Sequence, residues 1–422
     1  MPPDYPLEPI EVTDVSYGKE LTKSRLNADL CPGWPKAFPR KEVRIVNVRL
    51  AASLCLAASG ASIAFSQAPA QPPQLSSNAT VYATGLESPR GLKFGPDGDL
   101  YVAEAGTGGT VSTISVCPNA QVPPPIGSYL GGNTGRISKL DRSGNRTTVA
   151  SGFPSSLAAE GDLQGVADIA FLNGTLYAVT SGGGCSHGNA SSPNIIARVD
   201  TKSGSWKAIV NLSQFLQSHP AAYPDQADFE PDGVFYSLIA YDNRLYTLEP
   251  NHGQLFSTSA SGDLREELDI SRQQGHIVPT SVAVNNGKFY IGNLGLFPIT
   301  PDSSKVMSFD IGACPWPFLF GFGCGDELQK LRLSGSRAGF TTVVAVDFGP
   351  DGLLYALELS AATGLPTPGD GKVARLNRAG DIEDVATGLS VPTGMTFGPD
   401  GYLYVSNFGA APTGQILRIS VH

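Results

Sequence analysis

A nine-residue stretch occurs three times in this chain. FGPDGDLYV at 94–102 returns as FGPDGLLYA at 348–356 and as FGPDGYLYV at 397–405. In each copy apolar residues flank a Gly-Pro-Asp-Gly turn. Proline presets φ for the turn and the Asp-Gly pair closes a tight hairpin, so each copy predicts two antiparallel strands. One hairpin is marginal in water. Hairpins that recur along a chain predict units that stack against one another.

A Leu-Tyr pair counts the units. It stands at Leu100-Tyr101, Leu176-Tyr177, Leu245-Tyr246, Leu354-Tyr355 and Leu403-Tyr404, with Phe289-Tyr290 as a sixth member. An alternating apolar strand precedes each pair. A third strand follows most of them, as in KVARLN from Lys372, and a fourth often ends in Thr-Gly-Leu. Six units of four short strands predict an all-β fold, a six-bladed β-propeller, over 78–422. The last unit runs out at Val421 after three strands. Its missing strand is at the front, where VYATGL at 81–86 mirrors VATGL at 385–389. The N-terminal strand is therefore expected to complete the last blade, which closes the ring and leaves no open edge.

The composition agrees. Of 422 residues, 49 are Gly, 33 are Pro and 16% are charged, which suits a turn-rich β protein. The formal net charge is −9, no basic patch stands out, and nucleic acid is not expected as a partner.

One segment reads as a targeting signal. In 41–68, Lys41, Arg44 and Arg49 precede an apolar run at 50–65, and small residues follow. That is the pattern of a secretory signal peptide, and its core is too short for a stable membrane span after processing. Residues 1–40 before it are then a disordered or misassigned extension, with the true start expected at Val43, Val46 or Val48. Residues 69–77, rich in Pro, Gln and Ala, read as a linker. The protein is expected to be secreted or periplasmic and a monomer. Beyond the signal lie Cys117, Cys185, Cys314 and Cys324. An even number in an exported chain suggests disulfides. Cys314–Cys324 would close a short loop and leave Cys117–Cys185, though the sequence does not prove the pairing.

Long insertions at 106–135, 182–194, 296–304, 312–325 and 360–371 are loops on a rigid scaffold, where function concentrates. The run from Cys314 to Cys324 holds Trp316 and three Phe. It is either an exposed contact patch for a partner or lipid, or a cap packed on a blade edge; the cap is the expectation.

Two columns of residues are expected to meet at the central opening. The residue three after each tyrosine gives Glu104, Thr180, Glu249, Asn293, Glu358 and Asn407. The start of the inner strands gives Arg90, Ala167, Tyr236, Thr280, Val344 and Thr393, with Asp168 one step on. Arg90, Asp168 and the first column form the expected ligand-binding funnel. Converging carboxylate and amide oxygens suit a divalent metal, calcium foremost, with Glu104, Glu249, Asn293, Glu358 and Asn407 as candidate ligands. With a bound water that set would support metal-assisted hydrolysis, with Glu249 and His252 as candidate catalytic residues. Polar residues also end strands simply because solvent begins there. His187 and His276 are further loop histidines that could act as bases near neutral pH.

SPRGLKFGPDGDLYVAEAG from Ser88, VPTGMTFGPDGYLYVSNFG from Val391 and LEPNHG from Leu248 resemble the ScyD/ScyE family of exported bacterial NHL-like propellers, over about 76–422. The resemblance implies a secreted or periplasmic propeller. Its polar funnel and insertion loops are expected to bind a small molecule, glycan or envelope protein. A more distant resemblance is to gluconolactonase-like and streptogramin-lyase-like propellers, which implies a metal-dependent hydrolase or lyase acting on a small cyclic ester. The gluconolactonase type places Asn in a Pro-Asn-Gly run entering the inner strand. Here the matching runs are PRG from Pro89, PTS from Pro279 and PTG from Pro392, and the Asn is absent.

Overall fold

The computed structural model describes residues 74–124, 126–311 and 331–421. The expected extension at 1–40, the signal at 41–68, and Cys314, Trp316 and Cys324 lie outside the described residues.

The strands form six antiparallel sheets. Blade 1 is Pro89–Phe94, Leu100–Glu104, Leu130–Leu140 and Arg146–Leu157, with Leu163–Gln164 added at its edge. Blade 2 is Val166–Leu172, Thr175–Thr180, Ile195–Val199 and Trp206–Asn211. Blade 3 is Leu238–Tyr241, Arg244–Glu249, Gln254–Thr258 and Leu264–Asp269. Blade 4 is Pro279–Asn285, Lys288–Asn293, Ser304–Ile311 and Leu331–Phe340. Blade 5 is Val343–Phe348, Leu354–Glu358, Gly371–Leu376 and Ile382–Leu389. Blade 6 is Gly394–Phe397, Leu403–Asn407 and Gly414–Ile419, and its fourth strand is Ala79–Leu86. That strand pairs antiparallel with Gly414–Ile419, Val81 opposite Leu417. The ring closes as the split fourth strand predicts.

The core lies between blades. Six apolar clusters fill the six blade-to-blade contacts, as where Tyr101, Ile137 and Phe153 of blade 1 meet Ile169, Leu176 and Ala178 of blade 2. Each blade alone would expose one of these faces, so neighbours stabilise each other.

The repeated nine residues have a role in this packing. The turn aspartate accepts a hydrogen bond from the tyrosine hydroxyl four residues on: Tyr101 to Asp97 at 2.9 Å, Tyr355 to Asp351 at 2.9 Å, Tyr404 to Asp400 at 3.0 Å. A basic residue from the third strand, Lys139, Arg375 or Arg418, approaches the same carboxylate. The first glycine of the turn leaves room for that ring: a Cβ on Gly349 would lie 2.6 Å from a Tyr355 ring carbon. The second glycine adopts positive φ, +75° at Gly352, where other residues are strained. The leading phenylalanine packs edge-on against the tyrosine of the preceding blade, Phe397 on Tyr355 and Phe94 on Tyr404. Such pairs add about 0.5–1.5 kcal/mol beyond burial. The three copies sit in blades 5, 6 and 1, which are consecutive round the ring.

Part of the expected linker is tied down. Ser76 donates its N–H to the Thr387 carbonyl, and its hydroxyl accepts from the Thr387 N–H. Asn78 donates to the carbonyls of Val385 and Ser420. Residues 74–78 thus bridge blades 5 and 6.

Candidate functional site

The upper face is the one where inner strands begin and where the loops between second and third strands lie. The strands deliver the first polar column to this face, but one strand out from the channel and inside each blade. Glu104 is fully buried. It accepts from the Glu87 N–H and the Ser138 hydroxyl and pairs with Arg146 at 3.0 Å. Thr180 accepts from the Ile195 N–H. The two Glu249 oxygens accept from the N–H groups of Val234 and His252. Asn293 accepts from the Lys305 N–H and donates to the Ile277 carbonyl. Asn407 accepts from the Ser390 N–H. Most of these side chains cap backbone groups where the chain enters an inner strand or leaves for the third. Buried N–H groups there need acceptors.

Glu358 is the exception. It is 1% exposed, and neither carboxylate oxygen has a hydrogen-bond partner among the described residues. The Lys372 ammonium stands 3.7 Å away and pairs with Asp384 at 2.9 Å. Burial pushes the Glu358 carboxyl up to about 7, with Lys372 and the nearby Thr341 backbone N–H opposing.

Four of the five candidate metal ligands already accept hydrogen bonds from the protein, and Glu358 does not. Glu104, Glu249, Asn293 and Asn407 are engaged within their own blades. Among the described residues, no three His, Cys, Asp or Glu side chains gather into a group able to hold one.

The channel itself is lined by inner-strand residues, among them Lys93, Asp168, Ile239, Val346 and Met395. Of the expected funnel set, Asp168 lines it. Its carboxylate accepts from the Ile169 N–H and, across the blade boundary, from the Leu238 N–H at 2.7 Å. Burial raises it to about 6, opposed by Lys93. A Cβ on Gly91 would lie 1.8 Å from an Asp168 oxygen, so glycine is what admits this carboxylate. Tyr236 of the inner-strand column reaches from the start of blade 3 to blade 6. Its hydroxyl donates to the Thr393 carbonyl at 2.9 Å. Arg90 donates to the Leu163 carbonyl and faces the Tyr236 hydroxyl. Burial pushes that hydroxyl up to about 12, with Arg90 opposing. Tyr236→Phe is expected to lower stability by about 1 kcal/mol, read from urea melts, because the Thr393 carbonyl loses its donor.

The insertions above blades 1 and 2 are cross-braced. A disulfide joins Cys117 to Cys185. Thr113 donates to the Cys185 carbonyl, Ser155 to the Ala105 carbonyl, and Asn189 to the carbonyls of Ser155 and Gly182. Beneath them His187 is fully buried. Its Nδ1 donates to the Gly183 carbonyl at 2.8 Å, and its Nε2 faces Glu230 at 2.9 Å. One further proton therefore lies between His187 and Glu230. Burial opposes the imidazolium, but Glu230 and Asp232 hold the His187 pKa above its ordinary value, and burial raises Glu230. Tyr129 packs on His187 and donates to Asp162 at 2.6 Å.

His252 stacks on Phe229 and donates Nε2 to the Glu230 carbonyl. Glu249 takes its backbone N–H, so the structure does not bring the two side chains together as a catalytic pair. His276 pairs with Asp228 at 2.9 Å near the surface. Burial opposes its protonation, but Asp228 holds its pKa above the ordinary value. Sequence reasoning missed Asp228, Glu230 and Asp232, which lie outside the repeat; the acidic run DFEPD at 228–232 was the available signal.

The upper loops also carry most of the exposed large apolar side chains. These are Val111, Ile114, Val116 and Leu130 above blade 1, Tyr223 before blade 3, Leu296 and Phe297 above blade 4, Leu365 above blade 5 and Phe408 above blade 6. Among the described residues the remaining three, Val81, Ile311 and Leu333, lie on outer strands. Residues 105–135, 294–301, 359–369 and 408–414 contain no acidic or basic residue.

No protein-family model and no curated protein matches the chain. Solved structures do resemble it. One is the PQQ-bound aldose sugar dehydrogenase from Streptomyces coelicolor, 14% identical, covering 83% of this chain and 99% of that one, TM-score 0.46. A protein assigned as a gluconolactonase is 12% identical, covering 81% and 92%, TM-score 0.46. An inactive virginiamycin B lyase from Staphylococcus aureus, with quinupristin, is 13% identical, covering 82% and 99%, TM-score 0.42. The likeness is one of fold alone.

Proposed function

We propose that the chain is an exported propeller of the ScyD/ScyE kind that works as a binding platform, secreted or periplasmic. The observation that carries this reading is the contrast on its upper face. The candidate acids and amides are, Glu358 apart, engaged in holding the blades. The loops above them are braced against one another and present apolar tips. Such a preorganised surface loses little entropy when it binds. The Cys117–Cys185 disulfide supports export to an oxidising compartment. The partner would be a small molecule, a glycan or an envelope protein.

A metal-dependent hydrolase or lyase is the second reading. The buried Glu358, whose oxygens accept no side-chain hydrogen bond, and the near-surface His276–Asp228 pair are the observations in its favour. Thermal melts with calcium, zinc and EDTA, repeated on Glu249→Gln, separate the two. A metal that binds the native state raises the melting temperature by mass action. We expect no metal-dependent shift in either protein. Stabilisation by one metal that disappears in Glu249→Gln would overturn the platform reading in favour of the hydrolase.

A further inference from the structure

We propose that the upper face docks on a zwitterionic phospholipid surface; this rests on the platform reading and names its partner. Sidedness is the first argument. Among the described residues the exposed large apolar side chains cluster on one face, the other three lying on outer strands, and such patches mark interaction sites. Val116 and Leu365 are 68% and 71% exposed.

Geometry is the second. Val111, Ile114 and Val116 stand above blade 1. Leu296, Phe297 and Leu365 stand above blades 4 and 5, on the far side of the channel mouth. A partner that meets both groups has to span the mouth, as a flat surface does. Several shallow insertions then act together, as in other proteins that lie on a membrane rather than span it.

Charge is the third. The segments that carry these tips, 105–135, 294–301 and 359–369, hold no acidic or basic residue; Asp302 and Asp370 stand at the strand ends of the last two loops, so the tips themselves enter without an ion. They also offer nothing to attract anionic headgroups, and the net charge of −9 is repelled by them. Aliphatic tips suit acyl chains better than a hydroxyl-rich glycan. Among the described residues no helix is long and apolar enough to cross a membrane, so attachment through this face is peripheral.

The test is co-sedimentation of the full chain with phosphatidylcholine vesicles, and with vesicles that also contain phosphatidylglycerol. Residues 41–68 are common to every variant, so differences among variants report the face. Ile114→Ser with Val116→Ser is expected to weaken partitioning about tenfold, and Leu365→Ser to weaken it further. Val81→Ser, on the outer strand of blade 6, is expected to change nothing. All four positions are exposed, so unchanged melting temperatures confirm folding. Adding phosphatidylglycerol at low salt is expected to reduce binding. Three outcomes would overturn the proposal: no binding to phosphatidylcholine, equal binding by wild type and loop variants, or binding that rises with phosphatidylglycerol. Any of these leaves the platform reading standing if the metal series behaves as expected, so the two can fail separately.

Discussion

Glu104→Gln and Glu358→Gln, made at the same place in blades 1 and 5, are expected to move stability in opposite directions. Glu104 is buried against Arg146, with the Ser138 hydroxyl and the Glu87 N–H on its oxygens. Glutamine keeps an acceptor for the N–H but removes the charge that Arg146 is paired with. Breaking one side of such a pair costs about 3 kcal/mol. Glu358 has the burial, with the Lys372 ammonium at 3.7 Å as its ion-pair partner and no side-chain donor on its oxygens. A carboxyl held at about 7 in the folded chain, against 4.5 ordinarily, keeps its proton while the unfolded chain loses it. Between these values the native state binds more protons, so stability falls as pH rises from about 4.5 to about 7, by about 3 kcal/mol in all. Glutamine does not titrate, so Glu358→Gln is expected to stabilise the protein at pH 8 and to leave it unchanged at pH 4. Urea melts across this range decide the matter. If wild type and Glu358→Gln share one pH profile, the carboxylate has partners that the protein side chains do not supply.

The second large effect is expected from the disulfide. Cys117 and Cys185 are 68 residues apart in sequence. Removing a link over a loop of that length releases about 4 kcal/mol of chain entropy to the unfolded state. Cys117→Ser with Cys185→Ser should therefore melt well below wild type, and reduced wild type should match it. The loss should be local at first. Hydrogen exchange is expected to rise at 106–135 and 182–194, over the buried His187–Glu230 pair, before it rises in blades 4 and 5. Uniform exchange through all six blades would show instead that the insertion is part of the cooperative unit.

Much of the architecture was legible in the sequence because it repeats. Leu-Tyr pairs fixed the unit and its register. The missing strand after Val421 found its counterpart at 81–86. The Cys117–Cys185 link was a pairing the sequence offered without proof, and the structure forms it. The site was less legible. A residue three after a tyrosine ends a strand on the upper face, and nothing in the spacing says whether it turns to the channel or back into its own blade. The backbone decides, because the N–H groups of Glu87, Val234 and Ser390 need acceptors. Asp168 was found because it stands in an inner strand. The partnership of His187 with Glu230 joins two loops 43 residues apart, and no periodicity reports such a contact.

The seam of the ring has a consequence for how the chain comes into being. Ala79–Leu86 leaves the ribosome more than three hundred residues before its neighbour Gly414–Ile419. Until then it is a bare edge, able to pair with any strand it meets, including that of another copy. The contact that locks the circle is also among the most distant in sequence, and such contacts form late. A chain stopped anywhere short of blade 6 would therefore be open at both ends, and its early strand would be the first place where two unfinished molecules join.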